Sequence, residues 1–536
     1  MREPLRVGVL IDADTVSHPV RELLRVVEST PSLRVVAVIV APATASRTHA
    51  AARAALRRFE SALAAGLGDG DAARHYARYP IERMTVRVDA ERGPLQAQLE
   101  SLRLDVLCWC AAAAPATHDA RAAPRGVLAF EPPLDPLAGA GVAALRECLQ
   151  AEDNAEFAIV LHDAADRNGR VLRRGSTFTR LTLARTQAAL ATLQIDAMRA
   201  ALSAIASSAR APVPPQVLRP RPALAPSAPA IGRYALHTGA RMLRKLGQSL
   251  SGRQPYWTVS FQRTHWVDLR ARAQLVAHAP PGRFFADPFV AHDPRTGRAY
   301  CFVEEFDERI GRAHIALLEI DRDGVQYRGP VLQKPFHLSF PYVFRVGDEM
   351  FMCPEMVEAR RIEVYRAVEF PIRWEPHAVL MDDVRAVDSM IFDAGGRWWL
   401  MTNIDPGGDA GYPQLHLFHA DTPFGSNWQP HPQNPIRIDS EGARNAGLLR
   451  DGDTLYRCGQ IHGFDLYGKA VAIHRIVELT PTRYREEPVR IVAASQNPEG
   501  WMGLHHVSSD QGLLAFDFCR RRRPWIERLR IRGSGA

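Results

Sequence analysis

The sequence predicts a multidomain protein: an α/β, doubly wound domain followed by an all-β five-bladed propeller. Three observations predict it. Strand-like and helix-like runs alternate over the first two hundred or so residues, and a Pro/Ala-rich stretch, "APVPPQVLRPRPALAPSAPA" at 211–230, interrupts them. Five similar β-rich segments then follow. At 536 residues the chain exceeds one ordinary core. The expected boundaries are 1–207 for the α/β domain, 208–254 for a Pro/Ala-rich and basic linker, and 255–536 for the propeller.

In the first part, "RVGVLID" and "RVVAVIVA" are buried strands around the amphipathic helix "PVRELLRVVEST". The helix "GPLQAQLESLR", the strands "LDVLCWCAA", "GVLAFEP" and "EFAIVLHDA", and a long closing helix, "RTQAALATLQIDAMRAALSAIASSA", complete it. Such alternation implies a parallel sheet covered by helices. The turn "LIDADTVSHP" after the first strand has no G-x-G-x-x-G, so dinucleotide binding has no support.

From residue 256 on, short strands, Gly/Asp turns and aromatics take over. "FFADPFVAHDPRTGRAYCFVEEF", "LSFPYVFRVGDEMFMCPEM", "AVDSMIFDAGGRWWLMTNID", "ARNAGLLRDGDTLYRCGQIHG" and "WMGLHHVSSDQGLLAFDF" superpose. Each has a polar or aromatic lead residue, an apolar strand, a turn and a second apolar strand. The leads Asp287, Tyr342, Asp388, Asn445 and His505 lie roughly 45 to 60 residues apart, the length of a four-stranded blade. The strand "PYWTVSFQR" at 255–263 is expected to pair with the C-terminal strands and close the ring.

Propeller geometry gives the lone carboxylate of "GRFFADPFV" a reason. First strands line the central axis, so their lead residues converge with the polar ends of the second strands: Glu304, Glu305, Glu355, Asn403, Asp405, Gln460, His462 and Asp517. Carboxylates, amides and histidines walled by Phe285, Phe340, Tyr342 and Trp501 suit a sugar, whose hydroxyls take the polar groups and whose apolar face takes the aromatics. Neighbouring carboxylates can also be driven to different pKa values, as glycosyl chemistry requires. The candidate catalytic residues are Asp287 as base or nucleophile, Asp388 as modulator or stabiliser, and Glu355 as general acid. Glu305 is a rival acid and substrate ligand. Tyr342, Arg444, Gln460, His505 and Trp501 are the other candidate substrate ligands. For each a structural role stays open: a cap on backbone amides for Asp287, an inter-blade ion pair for Arg444, a core hydrogen bond for His505 or His506. No metal or cofactor is assigned, and a divalent ion is left undecided.

Two resemblances extend this reading. Residues 5 to 180, through "LDVLCWCAA…PRGVLAFEPPLDPLAGAG" and "EFAIVLHDAADRNGRVLRRG", resemble the formyltransferase N-terminal domain. That resemblance implies an Asn, a His and a later Asp. Here "LAFEPPLDP" replaces the Asn and His and only Asp166 is near the place of the Asp, so the domain reads as catalytically degenerate. Residues 256 to about 520, through "FFADPFV", "FVEEFDERIGRAHIALLEID", "AVDSMIF…GRWWLM" and "NPIRIDSEGARNAGLLRDGDTLYRCGQ", resemble the N-terminal propeller of plant glucosamine inositolphosphorylceramide transferases and bacterial relatives. Beyond those lie the five-bladed arabinanase and invertase-type glycosidases. In the plant enzymes a glycosyltransferase domain follows the propeller, so the resemblance alone does not place transfer chemistry in the propeller.

Composition sets the remaining expectations. Seven scattered cysteines form no disulfide framework, which points to a reducing compartment. No signal peptide and no run long enough to span a bilayer are read, so a cytoplasmic protein is expected. The net charge of +8 gathers at 241–253 and in the tail from Arg520 to Arg523, where peripheral contact with an anionic inner membrane face fits. No nucleic-acid motif is present. The expected partners are a sugar donor and a glycan or glycolipid acceptor, in transfer to a glycolipid or surface-polysaccharide precursor. Hydrolysis of an imported oligosaccharide and non-catalytic glycan binding are the alternatives.

Overall fold

The computed structural model describes residues 3–41, 50–81, 85–87, 95–111, 115, 123–135, 141–163, 166–207, 221–250, 254–322, 324–404, 411–497 and 499–522. Residues 211–220 of the Pro/Ala-rich stretch, Asp405 and the tail from Arg523 lie outside them. The chain divides into two compact units, Met1–Leu243 and Arg244–Ala536.

The first unit is built on a seven-stranded mixed sheet. Thr85–Arg87, Leu33–Val40, Leu5–Ile11, Val106–Trp109 and Val127–Glu131 run parallel in that spatial order. Asn154–Asp163 and Asp166–Phe178 extend the sheet antiparallel. Winding reverses beside Leu5–Ile11, whose "LRVGVLI" is buried on both faces as a central parallel strand requires. Helix Leu183–Ala206 packs on the antiparallel pair. It corrects one expectation: the helix is long and apolar enough to cross a membrane, but 72% of its apolar window is buried, as in a core helix. A further helix, Ala228–Leu250, falls within the segment read as linker. Asp166 opens the last strand, and its side chain is outside the described residues.

The second unit is a ring of five sheets. The first blade contains Arg283–His292, Ala299–Asp307, Arg312–Ile320 and Val325–Leu332. The second contains Ser339–Val346, Glu349–Glu355, Arg361–Glu369 and Arg373–Asp382. The third starts with Ala386–Ala394 and Arg397–Ile404, and the fourth with Glu441–Asp451 and Thr454–Gly463. The fifth joins the two ends of the domain. Gln254–Arg263 pairs antiparallel with Leu513–Arg522 over ten residue pairs, with Val507–Asp510 on the axial side. Blade-to-blade packing is apolar, with Phe289, Phe340, Phe351, Trp399 and Leu417 in one continuous core.

One charge lies deep in the fourth blade. Arg457 is fully buried, with Nε and Nη2 at 2.8 and 2.7 Å from Glu486 and Nη1 donating to Gly442 O at 2.7 Å. Removing one partner of such a pair leaves the other unmatched in a low-dielectric site. Glu486 keeps Arg437 at 2.6 Å, so Arg457→Leu should destabilise the propeller by about 3 kcal/mol, the low end for a broken buried pair, measurable as a shift in the urea midpoint.

Candidate active site at the propeller hub

In the first three blades the register of the first two strands slips at the same place: between Ala286 and Phe289, Ser339 and Tyr342, and Val387 and Met390. The slip is a β-bulge, which turns a side chain out of the strand's alternation. Asp287, Phe340 and Asp388 occupy it with φ of +49°, +43° and +50°. A non-glycine residue in that left-handed region is strained by about 1 kcal/mol or more, and such strain gathers at functional sites. The amides of Asp287 and Phe340 are satisfied across blades. Asp287 N–H donates to Asp517 Oδ2 of the fifth blade at 3.1 Å, and Phe340 N–H donates to Asp287 Oδ2 at 3.2 Å. In the fourth blade Asn445 N–H donates to Asn403 Oδ1 of the third at 2.9 Å.

This register corrects two expected leads. In the second blade the lead is Phe340, not Tyr342. Tyr342 lies two residues further on and lines a separate cavity of about 460 Å³ at the far ends of the first strands, with Phe344, Trp398 and Arg450. In the fourth blade the hub residue is Arg444, while Asn445 is buried and donates to Asp388 O at 2.8 Å.

All five blades contribute to one cluster. Arg444 Nε lies 2.6 Å from Asp388 Oδ2, and its Nη2 is 3.9 Å from Glu355 Oε2. Gln460 Nε2 donates to Asn445 O at 2.9 Å and approaches Asp388 Oδ2 at 3.5 Å. His505 stands between two carboxylates, with Nδ1 at 2.6 Å from Asp517 and Nε2 at 3.7 Å from Asp287. His506 Nδ1 is 3.9 Å from Asp287. Its ring packs against Phe289 and Phe340.

The remaining candidates sit elsewhere. Glu305 is fully buried and saturated by Arg283, Tyr327 and His314 at 2.9, 2.9 and 2.7 Å, a network internal to the first blade. Its neighbour Glu304, on the opposite face of the strand, is the one whose charge reaches Asp287. Trp501 stacks on Phe518 at 4.0 Å within a hydrophobic core, and Phe285 belongs to another core cluster. Neither is in the hub cluster. Three aromatics that sequence reasoning missed are close to it. Trp257, from the closing strand, stacks on His505 at 4.0 Å. Tyr467 meets His505 edge-on at 5.4 Å and, with Tyr412, lies under the Arg444 guanidinium at 5.2 and 5.5 Å. Gly468, φ +64°, lets Tyr467 in, because a Cβ there would come within 2.8 Å of His505.

Electrostatics separate the groups. Burial raises Glu355 well above the carboxylate range, and Asp388 beside it raises it further against the pull of Arg444. A protonated Glu355 can donate to Asp388. Burial likewise raises Asp287, which the His505 charge opposes, while Glu304, Asp517 and Asp388 push upward. Burial works against a charge on His505, yet Asp517 and Asp287 carry it up to about 9. Burial works against Asp517 too, and His505 outweighs it, so Asp517 is lowered. Arg444 is opposed by burial, and Asp388, Tyr467 and Glu355 more than compensate.

Asp287, His505 and Asp517 also offer one potential metal-ligand atom each, all within 4.8 Å of one another. A cation there would have to displace the proton His505 holds toward Asp517. The trio is equally well explained as a proton-holding pair beside a third acid.

A five-bladed propeller with an acid-lined hub is thus the class that fold and site define. Residues 270–515 match the family model described as glucosamine inositolphosphorylceramide transferase 1, N-terminal. Proteins named glucosamine inositolphosphorylceramide transferase 1 from Oryza sativa subsp. japonica and Arabidopsis thaliana are 33% and 34% identical over 241 and 242 residues, 43% of this chain in each case. The match spans about a third of those relatives' own length, 32% and 31%. Among solved structures, an α-L-arabinanase of Cellvibrio cellulosa is 15% identical with a TM-score of 0.31, covering 44% of this chain and 90% of that one. An exo-β-1,3-galactanase of Phanerochaete chrysosporium is 13% identical with a TM-score of 0.32, covering 42% and 55%. The blade assignment rests on the sheet topology above.

The His505 pair has a pH signature. Its folded pKa, about 9, lies above the ordinary 6.5, so its stabilising contribution is full below pH 6.5 and is lost as pH rises through about 9. Histidine NMR should follow that titration, and Asp517→Asn should move it several tenths of a unit or more downward. A His505 titrating near 6.5 in the unsubstituted protein would contradict the geometry.

Proposed function

We propose that the protein is a carbohydrate-active enzyme of glycosyltransferase type, acting on a glycolipid or surface-polysaccharide precursor at the propeller hub. The observation that carries this is the convergence of Asp287, Glu355 and Asp388, from three blades, at one hub, where Arg444 pairs with Asp388 and reaches Glu355. The transferase names of the relatives matched over the propeller support a glycolipid acceptor. Their glycosyl chemistry comes to this chain only as part of this proposal.

In this reading Glu355, kept protonated by burial and by Asp388, gives its proton to the oxygen leaving the anomeric carbon. The acceptor hydroxyl attacks that carbon and yields its proton to Asp287. Burial and the neighbouring acids make Asp287 a stronger base than an ordinary carboxylate, with the His505 charge opposing that rise, and it must be ionised before it can accept. Asp388 and Arg444 hold the sugar hydroxyls and offset charge developing on the ring. Trp257 and Tyr467 supply apolar surface for a pyranose face. Water in place of the acceptor gives hydrolysis by the same groups. The N-terminal unit is proposed as a degenerate formyltransferase-like domain, its parallel core lacking an imidazole at "LAFEPPLDP". All seven cysteines are buried free thiols, which supports a reducing, cytoplasmic setting.

Incubation with sugar donors, with and without lipid-linked acceptors, tests this directly. Asp287→Asn and Glu355→Gln should each lower kcat by about a hundred- to ten-thousand-fold with the fold retained. Unchanged sugar binding and biological output in both variants would favour a non-catalytic glycan-binding protein.

The pH profile supplies a second check. Because Glu355 is raised, its acid form persists at higher pH and turnover should fall only as pH rises through that elevated value. Glu355→Gln should abolish this falling limb in the residual activity.

A further inference from the structure

Away from the hub, one face of the helix Ala228–Leu250 is left bare. Ala230, Tyr234 and Thr238, four residues apart, are its buried side. Tyr234 ties that side down: its hydroxyl donates to Glu60 Oε1 at 2.6 Å and accepts Leu183 N–H at 2.8 Å. Roughly opposite, Leu236, Leu243, Leu246 and Leu250 are 74%, 71%, 56% and 79% exposed. Seven residues make almost two full turns, within about 20°. Leu236, Leu243 and Leu250 therefore form a line along the helix, with Leu246 beside it. Single exposed leucines are ordinary, but four on one stripe, on a helix already buried along its other side, mark an interaction surface.

The charges on the helix indicate what it meets. Residues 228–250 contain Arg233, Arg241, Arg244 and Lys245 and no Asp or Glu. Arg241 donates to the carbonyls of Cys148 and Leu149 at 2.6 and 3.2 Å, and Lys245 pairs with Asp465. Arg233 and Arg244 make no ion pair among the described residues, and both project about 60 to 100° from the leucine line. The stripe is aliphatic, whereas protein interfaces draw their strongest contacts from Trp and Tyr. An aliphatic stripe edged by unpaired cations is the pattern of a helix lying in the plane of an anionic bilayer surface.

We infer that the outer face of Ala228–Leu250 docks on an anionic lipid surface, its leucines below the headgroups and Arg233 and Arg244 at the phosphates. The inference goes beyond the hub chemistry, which it would supply with a lipid-linked acceptor. Its test needs no turnover, so the two readings fail separately.

The full chain is pelleted with vesicles of phosphatidylcholine alone or mixed with phosphatidylglycerol. Binding is expected to the mixed vesicles only and to weaken with salt. The triple variant Leu236→Gln/Leu243→Gln/Leu250→Gln and the double variant Arg233→Gln/Arg244→Gln should each cut it by about tenfold or more. These positions are exposed, and unchanged circular dichroism and melting verify the fold. Equal binding by wild type and both variants, or none to the mixed vesicles, overturns the inference. So does a lipid-free dimer in sedimentation that the leucine variant abolishes, since a second copy would then be the occupant.

Discussion

The structure depends on one local device: a bulge at the head of the first strand, whose strained lead residue has its amide held by a neighbouring blade. Asp287 N–H reaches Asp517, and Phe340 N–H reaches Asp287. Each carboxylate so used is at once a fastener between blades and a member of the hub. The strain of a positive φ at Asp287 and Phe340 is offset by these buried bonds, while at Asp388 the side chain pairs with Arg444 of the next blade. The ring and the site are consequently not separable. The geometry that closes the fifth blade onto the first also brings Asp517 and His505 to Asp287.

Within the hub, position decides chemistry. Three acids of similar intrinsic strength are given different neighbours: Arg444 for Asp388, Asp388 for Glu355, and an imidazolium for Asp287. Arg444 illustrates that a structural and a functional role need not compete. It bridges the second, third and fourth blades and also sets the charge that a substrate would meet.

Much of this was legible in the sequence, for physical reasons that also mark the limits. Five repeats of strand, turn and strand, and a spare strand at 255–263, define a closed ring because the apolar strands have nowhere else to pair. Asp287 and Asp388 stood out because a carboxylate ahead of an apolar strand needs a partner. Tyr342 and Asn445 were misplaced as leads because a bulge shifts register by a residue or two, and composition does not locate it. The pair Glu304 and Glu305 put one acid on each face of a strand, and only tertiary packing decides which faces the axis. Trp501 was drawn into the core by Phe518, where an aromatic is as well satisfied as against a sugar. Trp257 and Tyr467 were missed since they arrive from the closing strand and from the strand after a hairpin, not from the repeated positions.

Sugar binding at the hub is what the proposed chemistry requires. A crystal structure soaked with a panel of hexoses and hexosamines tests that most directly. It should place a pyranose ring within hydrogen-bond reach of Asp287, Glu355 and Arg444, with an aromatic face from Trp257 or Tyr467 against it. A sugar bound only at the cavity lined by Tyr342 and Trp398, with the hub unchanged, would contradict it.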